Sequence, residues 1–137
     1  LNWNRLIPGT INYISKGKRP VIRSDGNIKR DYVYIKDVID AYLRLGELIY
    51  NEKHENKIFY LGTEQNITTY EIVKKICRLM NVNPDHHELR CQGFDEREQT
   101  IQSTQKTREL LHWSPNFDID TGLKETVEWY DNYFSKK

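Results

Sequence analysis

The sequence predicts a mixed α/β chain, helices with a few short strands, rather than a complete doubly wound domain. Three observations predict it. Apolar residues recur at helical spacing in three long stretches, around 38–49, 72–80 and 123–134. Short extended runs, two of them flanking an Asp-Gly turn, interrupt those stretches. The strands are too few and too unevenly placed for a regular βαβαβ array.

In chain order, residues 4–16 suit a helix: Ile7, Ile11 and Ile14 share a face, Pro8 falls in the first turns, and Gly17 ends it. Pro20 to Arg23 is a short extended run, and Ser24-Asp25-Gly26-Asn27 is a turn in which Gly26 is free to take positive φ. Lys29 to Ile35 alternates, so the two runs are expected to pair as a hairpin. Asp37 is placed to cap a helix carrying Val38, Ala41, Tyr42, Leu45, Leu48 and Ile49. Lys57 to Leu61 reads as a strand ended by Gly62. Thr68-x-x-Glu71 is a capping box ahead of Ile72, Val73, Ile76, Cys77 and Met80. His87 to Gln92 suits a strand and Thr104 to His112 a short helix stopped before Pro115. Leu123, Val127, Tyr130 and Phe134 mark a last helix with Asp118 or Asp120 at its cap.

At 137 residues the chain allows one domain with a modest core, and neither a repeat nor a linker divides it. Only 37% of its residues are hydrophobic and mean hydropathy is -0.80, which keeps that core small. Its 21 basic and 20 acidic side chains nearly cancel, so there is no electrostatic case for nucleic acid or an anionic membrane surface. No apolar run nears the roughly 20 residues that span a bilayer. Cys77 and Cys91 form no Cys-x-x-Cys and read as reduced thiols; with no signal-peptide pattern at Leu1, a cytoplasmic location is expected.

Several patterns invite a chemical reading. Tyr32/Lys36, Tyr70/Lys74 and Tyr133/Lys137 are each Tyr-x-x-x-Lys, in which an ammonium can lower a phenol pKa for proton transfer. Nine Tyr and 12 Lys in 137 residues give about 0.8 such matches by chance. Tyr32 and Lys36 also straddle a predicted strand, roughly 13 Å apart along it. None of the three is assigned as catalytic. Asp85-His86-His87-Glu88 reads as a solvated loop rather than a metal site, because adjacent strand residues point to opposite faces. Asp95, Glu96 and Glu98, interrupted by Arg97, read as a charged loop, with acid-base work the lesser alternative. No two of the seven glycines are two apart, so a dinucleotide fingerprint is missing, and no cofactor is assigned to this chain. Arg30, at the start of a strand that leads into a helix, is suited to a bidentate phosphate contact or, equally, to a salt bridge with Asp31 or Asp37. Arg5, beside the first helix, carries the same two readings.

The run from Gly26 through Arg30-Asp31-Tyr32 to Asp37 and Ala41 resembles a segment of the nucleotide-sugar epimerases and dehydratases, the extended short-chain dehydrogenase/reductases. Further pieces follow in that family's order: Arg5-Leu6-Ile7-Pro8 with Gly17-Lys18-x-Pro20, Phe59-Tyr60-Leu61-Gly62, Ser103 to Lys106 with Leu110-Leu111-x-Trp113-x-Pro115, and Gly122-Leu123 to Trp129-Tyr130. Asn2 to Pro8 is most similar to the CDP-glucose 4,6-dehydratase branch. The resemblance implies that residues 1–137 are a C-terminal fragment of that fold. It would be a single substrate-binding region, with the NAD-binding domain and the catalytic Tyr-x-x-x-Lys upstream of Leu1 and NAD serving the full-length enzyme. It implies that Arg30 holds the diphosphate of a nucleotide-diphosphate sugar, that Arg5 is a basic pocket position, and that Glu96 is a ligand contact. A second diphosphate arginine is replaced near Gln92 or Gly93, with Arg90 or Arg97 as substitutes. Tyr60, Ser103 and His112 depart from the family's usual Asn, Asp and Gly. The fragment is expected to be inactive alone and to self-associate through exposed sheet edges. The alternatives are a non-enzymatic interaction module, a remnant paralogue without its cofactor domain, and a small nucleotide-binding protein.

Overall fold

The computed structural model describes residues 1–51, 58–90 and 102–136. The elements are α1 (Leu6–Ser15), β1 (Val21–Ile22), β2 (Lys29–Arg30), α2 (Ile35–Asn51), β3 (Ile67–Thr68), α3 (Thr69–Leu79), β4 (Glu88–Leu89), α4 (Gln105–Leu111) and α5 (Ile119–Ser135). The chain divides into two compact units interleaved along the sequence. Leu1–Arg30, Ile67–Gln99 and Asp120–Lys137 form the first, and Asp31–Asn66 with Thr100–Ile119 form the second. The mixed α/β class stands.

In the first unit α1 packs on α3, and Ile22, Val73 and Cys77 form a buried cluster with Leu6, Ile14 and Val82 against it. The Cys77 thiol is buried, and burial pushes its pKa up; Cys91 lies outside the described residues. Gly17, at φ +65°, turns the chain out of α1 as expected. The capping box is present. Glu71 N–H donates to Thr68 Oγ1 at 3.1 Å, and Thr68 N–H donates to Glu71 Oε2 at 2.8 Å. The Thr68 backbone N–H, then its hydroxyl, hold the Glu71 carboxyl below the usual carboxylate range. A depressed folded pKa contributes stability above the unfolded pKa, about 4.3, and loses it as pH falls through and below that value. The stability gap between wild type and Glu71→Gln is therefore expected to shrink from about pH 6 to about pH 3, measured by urea denaturation at each pH. A gap unchanged across that range would contradict the assignment.

The hairpin expected around Asp25-Gly26 does not form. β1 pairs in parallel with β4, Val21 against Glu88, and β2 pairs antiparallel with β3, Arg30 against Ile67. The turn is instead fastened to α3. Tyr70 N–H and the Thr69 hydroxyl both donate to Gly26 O at 3.0 Å. Gly26 takes φ +85°, and a Cβ there would meet Tyr70 at 3.3 Å. The strand read over 29–35 ends at Arg30, and that over 87–92 is described only as Glu88–Leu89. No ladder runs over residues 58–61; Lys57 and Gln92 lie outside the described residues.

In the second unit Ala41, Leu111 and Trp113 are buried together, with Val33, Leu45, Leu48, Phe59 and Leu61 around them. Asp37 does not cap α2: the helix starts at Ile35, and Asp37 lies in its first turn, 1% exposed. Its carboxylate reaches sideways and accepts the backbone N–H of Asn116 at 2.9 Å and of Phe117 at 3.1 Å. An Asp in a helix's first turn looks the same in sequence whether it caps its own helix or ties down a distant loop. The strand geometry assumed for Tyr32 and Lys36 also fails. Tyr32 precedes α2, and the Lys36 ammonium lies over the rings of Tyr34 and Phe117, at 5.9 and 5.5 Å. α4 ends at His112, whose φ of 47° lies in the left-handed region. That geometry explains why glycine suits this position and why His112 is a costlier substitute.

Candidate functional site

Arg5 takes the N-cap position of α1 in the usual extended geometry, φ -83°, ψ 149°, but its guanidinium has no acceptor to offer the helix amides and makes no cap hydrogen bond. Arg5 lines a cleft of about 140 Å³ in the first unit. Arg23, just past β1, lines the same cleft, with Trp3, Thr10, Tyr13 and Ser24. Among the described residues no carboxylate belongs to that lining, so the two guanidiniums set a positive potential over it. Among the described residues, neither holds a hydrogen bond or an ion pair.

The other predicted residues sit differently. Arg30 is half-buried in β2, and its Nη1 donates to Lys29 O at 3.3 Å. It does not line the Arg5 cleft. The two carboxylates that sequence offered to Arg30 both accept hydrogen bonds from other groups. Asp31 accepts Thr63 N–H at 3.0 Å, the Thr63 hydroxyl at 2.5 Å and Glu64 N–H at 2.9 Å, while Asp37 serves Asn116 and Phe117. Gly62 is needed at that junction, since a Cβ there would fall 2.5 Å from Asp31 Oδ2. Arg90 forks onto Glu88, Nε to Oε1 at 2.7 Å and Nη2 to Oε2 at 3.2 Å. That fork raises the Arg90 pKa and holds the Glu88 carboxyl below its usual range. Glu96 and Arg97, with the rest of the acidic loop, lie outside the described residues.

The remaining motifs are used structurally. Lys74 pairs with Asp85 at 3.1 Å and lies 4.9 Å over the Tyr70 ring. Asp85 raises the Lys74 pKa, and Lys74 lowers that of Asp85. His86 Nε2 accepts Arg19 Nε at 3.3 Å, and the His87 ring meets Tyr70 edge-on at 4.9 Å. Among the described residues no cluster of His, Cys, Asp or Glu could hold a metal ion, and no helix is long and apolar enough to cross a membrane.

Sequence reasoning missed Arg23. The signal was available: a guanidinium directly after the extended pair Val21–Ile22, the same logic applied to Arg30.

Residues 2–62 match the NAD dependent epimerase/dehydratase family. Curated relatives agree over nearly the whole chain. The UDP-glucose 4-epimerase of Mycolicibacterium smegmatis is 28% identical over 85% of this chain and 36% of its own length. A trifunctional UDP-glucose 4,6-dehydratase, epimerase and reductase of Arabidopsis thaliana is 26% identical over 92% of this chain and 18% of its own. The UDP-glucose 4-epimerase of Thermotoga maritima, solved with UDP-glucose, superposes with a TM-score of 0.82 at 25% identity over 95% of this chain and 40% of that one. Over residues 2–62 the chain is similar to the NAD dependent epimerase/dehydratase family. It spans well under half the length of these relatives. The fold is equally that of the dTDP-glucose 4,6-dehydratase of Bacillus anthracis, TM-score 0.79 at 22% identity. NAD, which the family name implies, finds no cradle in the residues described. The positive-φ glycines are Gly17, which leaves a helix, and Gly26, which precedes a strand; neither lies between a strand and a helix N-terminus, where a pyrophosphate is held.

Proposed function

We propose that this chain is the substrate-binding part of an NAD-dependent nucleotide-sugar 4,6-dehydratase or epimerase. It binds the nucleotide and its diphosphate and lacks the acid-base residues. The observation that carries this reading is the cleft lined by Arg5 and, among the described residues, by no carboxylate, in a chain whose relatives are named for UDP- and dTDP-sugars. Guanidinium groups without protein partners suit phosphate oxygens, which they can meet in a bidentate fork. Arg30, and Arg97 and Glu96 beyond the described residues, complete the contacts of this reading. Within the family the CDP-glucose dehydratase branch is the preferred assignment, on the Asn2 to Pro8 stretch, and the setting is cytoplasmic.

In the whole enzyme the bound nicotinamide would accept hydride from the sugar. This chain's residues bind, orient and neutralise the diphosphate. The 137 residues with NAD and CDP-glucose or UDP-glucose are expected to show no dehydration or epimerisation of the sugar, followed by NMR of the sugar protons. Turnover from the purified chain would overturn the division of labour.

A further inference from the structure

We propose that Arg23 is a diphosphate-binding residue, closing on the ligand together with Arg5. This rests on the nucleotide-sugar reading above and adds a residue to it. Of the other arginines of the first unit, Arg90 pairs with Glu88 and Arg19 with His86, and neither Arg30 nor Arg78 lines the cleft. Arg5 and Arg23 line one cleft, and neither guanidinium has a partner among the described residues.

Two like charges lining one small cleft repel each other, and an anion bound between them relieves that repulsion. A single phosphate monoester can satisfy one fork, whereas two guanidiniums suit the longer array of oxygens in a diphosphate. The walls add hydroxyl groups, from Ser24, Tyr13 and the buried Thr10, which donate to oxygen without adding charge. The ligand class is therefore a nucleoside diphosphate, free or esterified to a sugar. Trp3 lines the cleft and provides a fluorescence reporter.

The test is a titration of the chain with CDP, UDP and unphosphorylated cytidine, read by tryptophan fluorescence and calorimetry. Wild type is compared with Arg23→Gln, Arg23→Lys, Arg30→Gln and, as a control outside the cleft, Arg19→Gln; circular dichroism verifies folding of each. Arg23→Gln is expected to weaken CDP and UDP by the same factor, roughly 10- to 100-fold, the span of lost charge-assisted hydrogen bonds. Arg23→Lys should fall between, because the charge remains and the fork is lost. Cytidine and Arg19→Gln should show no such effect. If Arg23→Gln binds both diphosphates as wild type does while Arg30→Gln loses them, the Arg23 proposal fails and the nucleotide reading stands. If neither diphosphate saturates wild type at millimolar concentration, both fall.

Discussion

Trp113→Ala is expected to cost about 3–5 kcal/mol, enough to unfold much of a domain whose total stability lies in the usual range of about 5–15 kcal/mol. Trp113 is 1% exposed and is the largest fully buried side chain described. Its ring fills the centre of the second unit's core, among Ala41, Leu111 and the apolar side chains around them. Truncation removes that transfer free energy and leaves a cavity that a helix-walled core closes only partly. It also removes the indole N–H, which donates to Asp37 O at 2.9 Å. Trp113→Phe separates the two contributions, retaining much of the volume and losing the donor. Urea denaturation measures both, and a loss under about 1 kcal/mol for Trp113→Ala would show that the core does not close on this residue.

Asp37→Ala is expected to cost about 2–4 kcal/mol, although it removes only one small side chain. The carboxylate satisfies two backbone N–H groups in the segment after Trp113, at Asn116 and Phe117. Removing it takes the acceptor from two part-buried donors, and each costs part of the desolvation of an unmade bond. Asp37→Asn should cost less, since one oxygen still accepts while the new amide opposes the second N–H. The two sites share one network, so Trp113→Ala with Asp37→Ala should lose less than the sum of the single changes. Strict additivity would mean that the carboxylate and the indole act independently.

The same pair shows what was legible in the sequence. The amphipathic periods of α2, α3 and α5 were readable, because each element buries one face and the spacing records it. The Thr68–Glu71 box was readable because capping is local. Strand pairing was not: Asp25-Gly26 favours a turn, but the partners of β1 and β2, at Glu88–Leu89 and Ile67–Thr68, lie far along the chain. Two-residue strands carry no alternation from which a partner could be inferred. Asp37 was noticed and misassigned, since nothing local reveals that its acceptor oxygens point at Asn116 and Phe117. For the site, Arg5 was found and Arg23 overlooked. Their meeting in one cleft depends on α1 and β1 coming together, a tertiary fact.

Calorimetric titration of the purified 137-residue chain with CDP-glucose, UDP-glucose and glucose 1-phosphate tests the central claim most directly. The claim predicts saturable binding of the nucleotide-diphosphate sugars, weakened by rising salt as phosphate contacts require, and none of comparable strength for glucose 1-phosphate. Binding of all three with equal affinity, or of none, would contradict it.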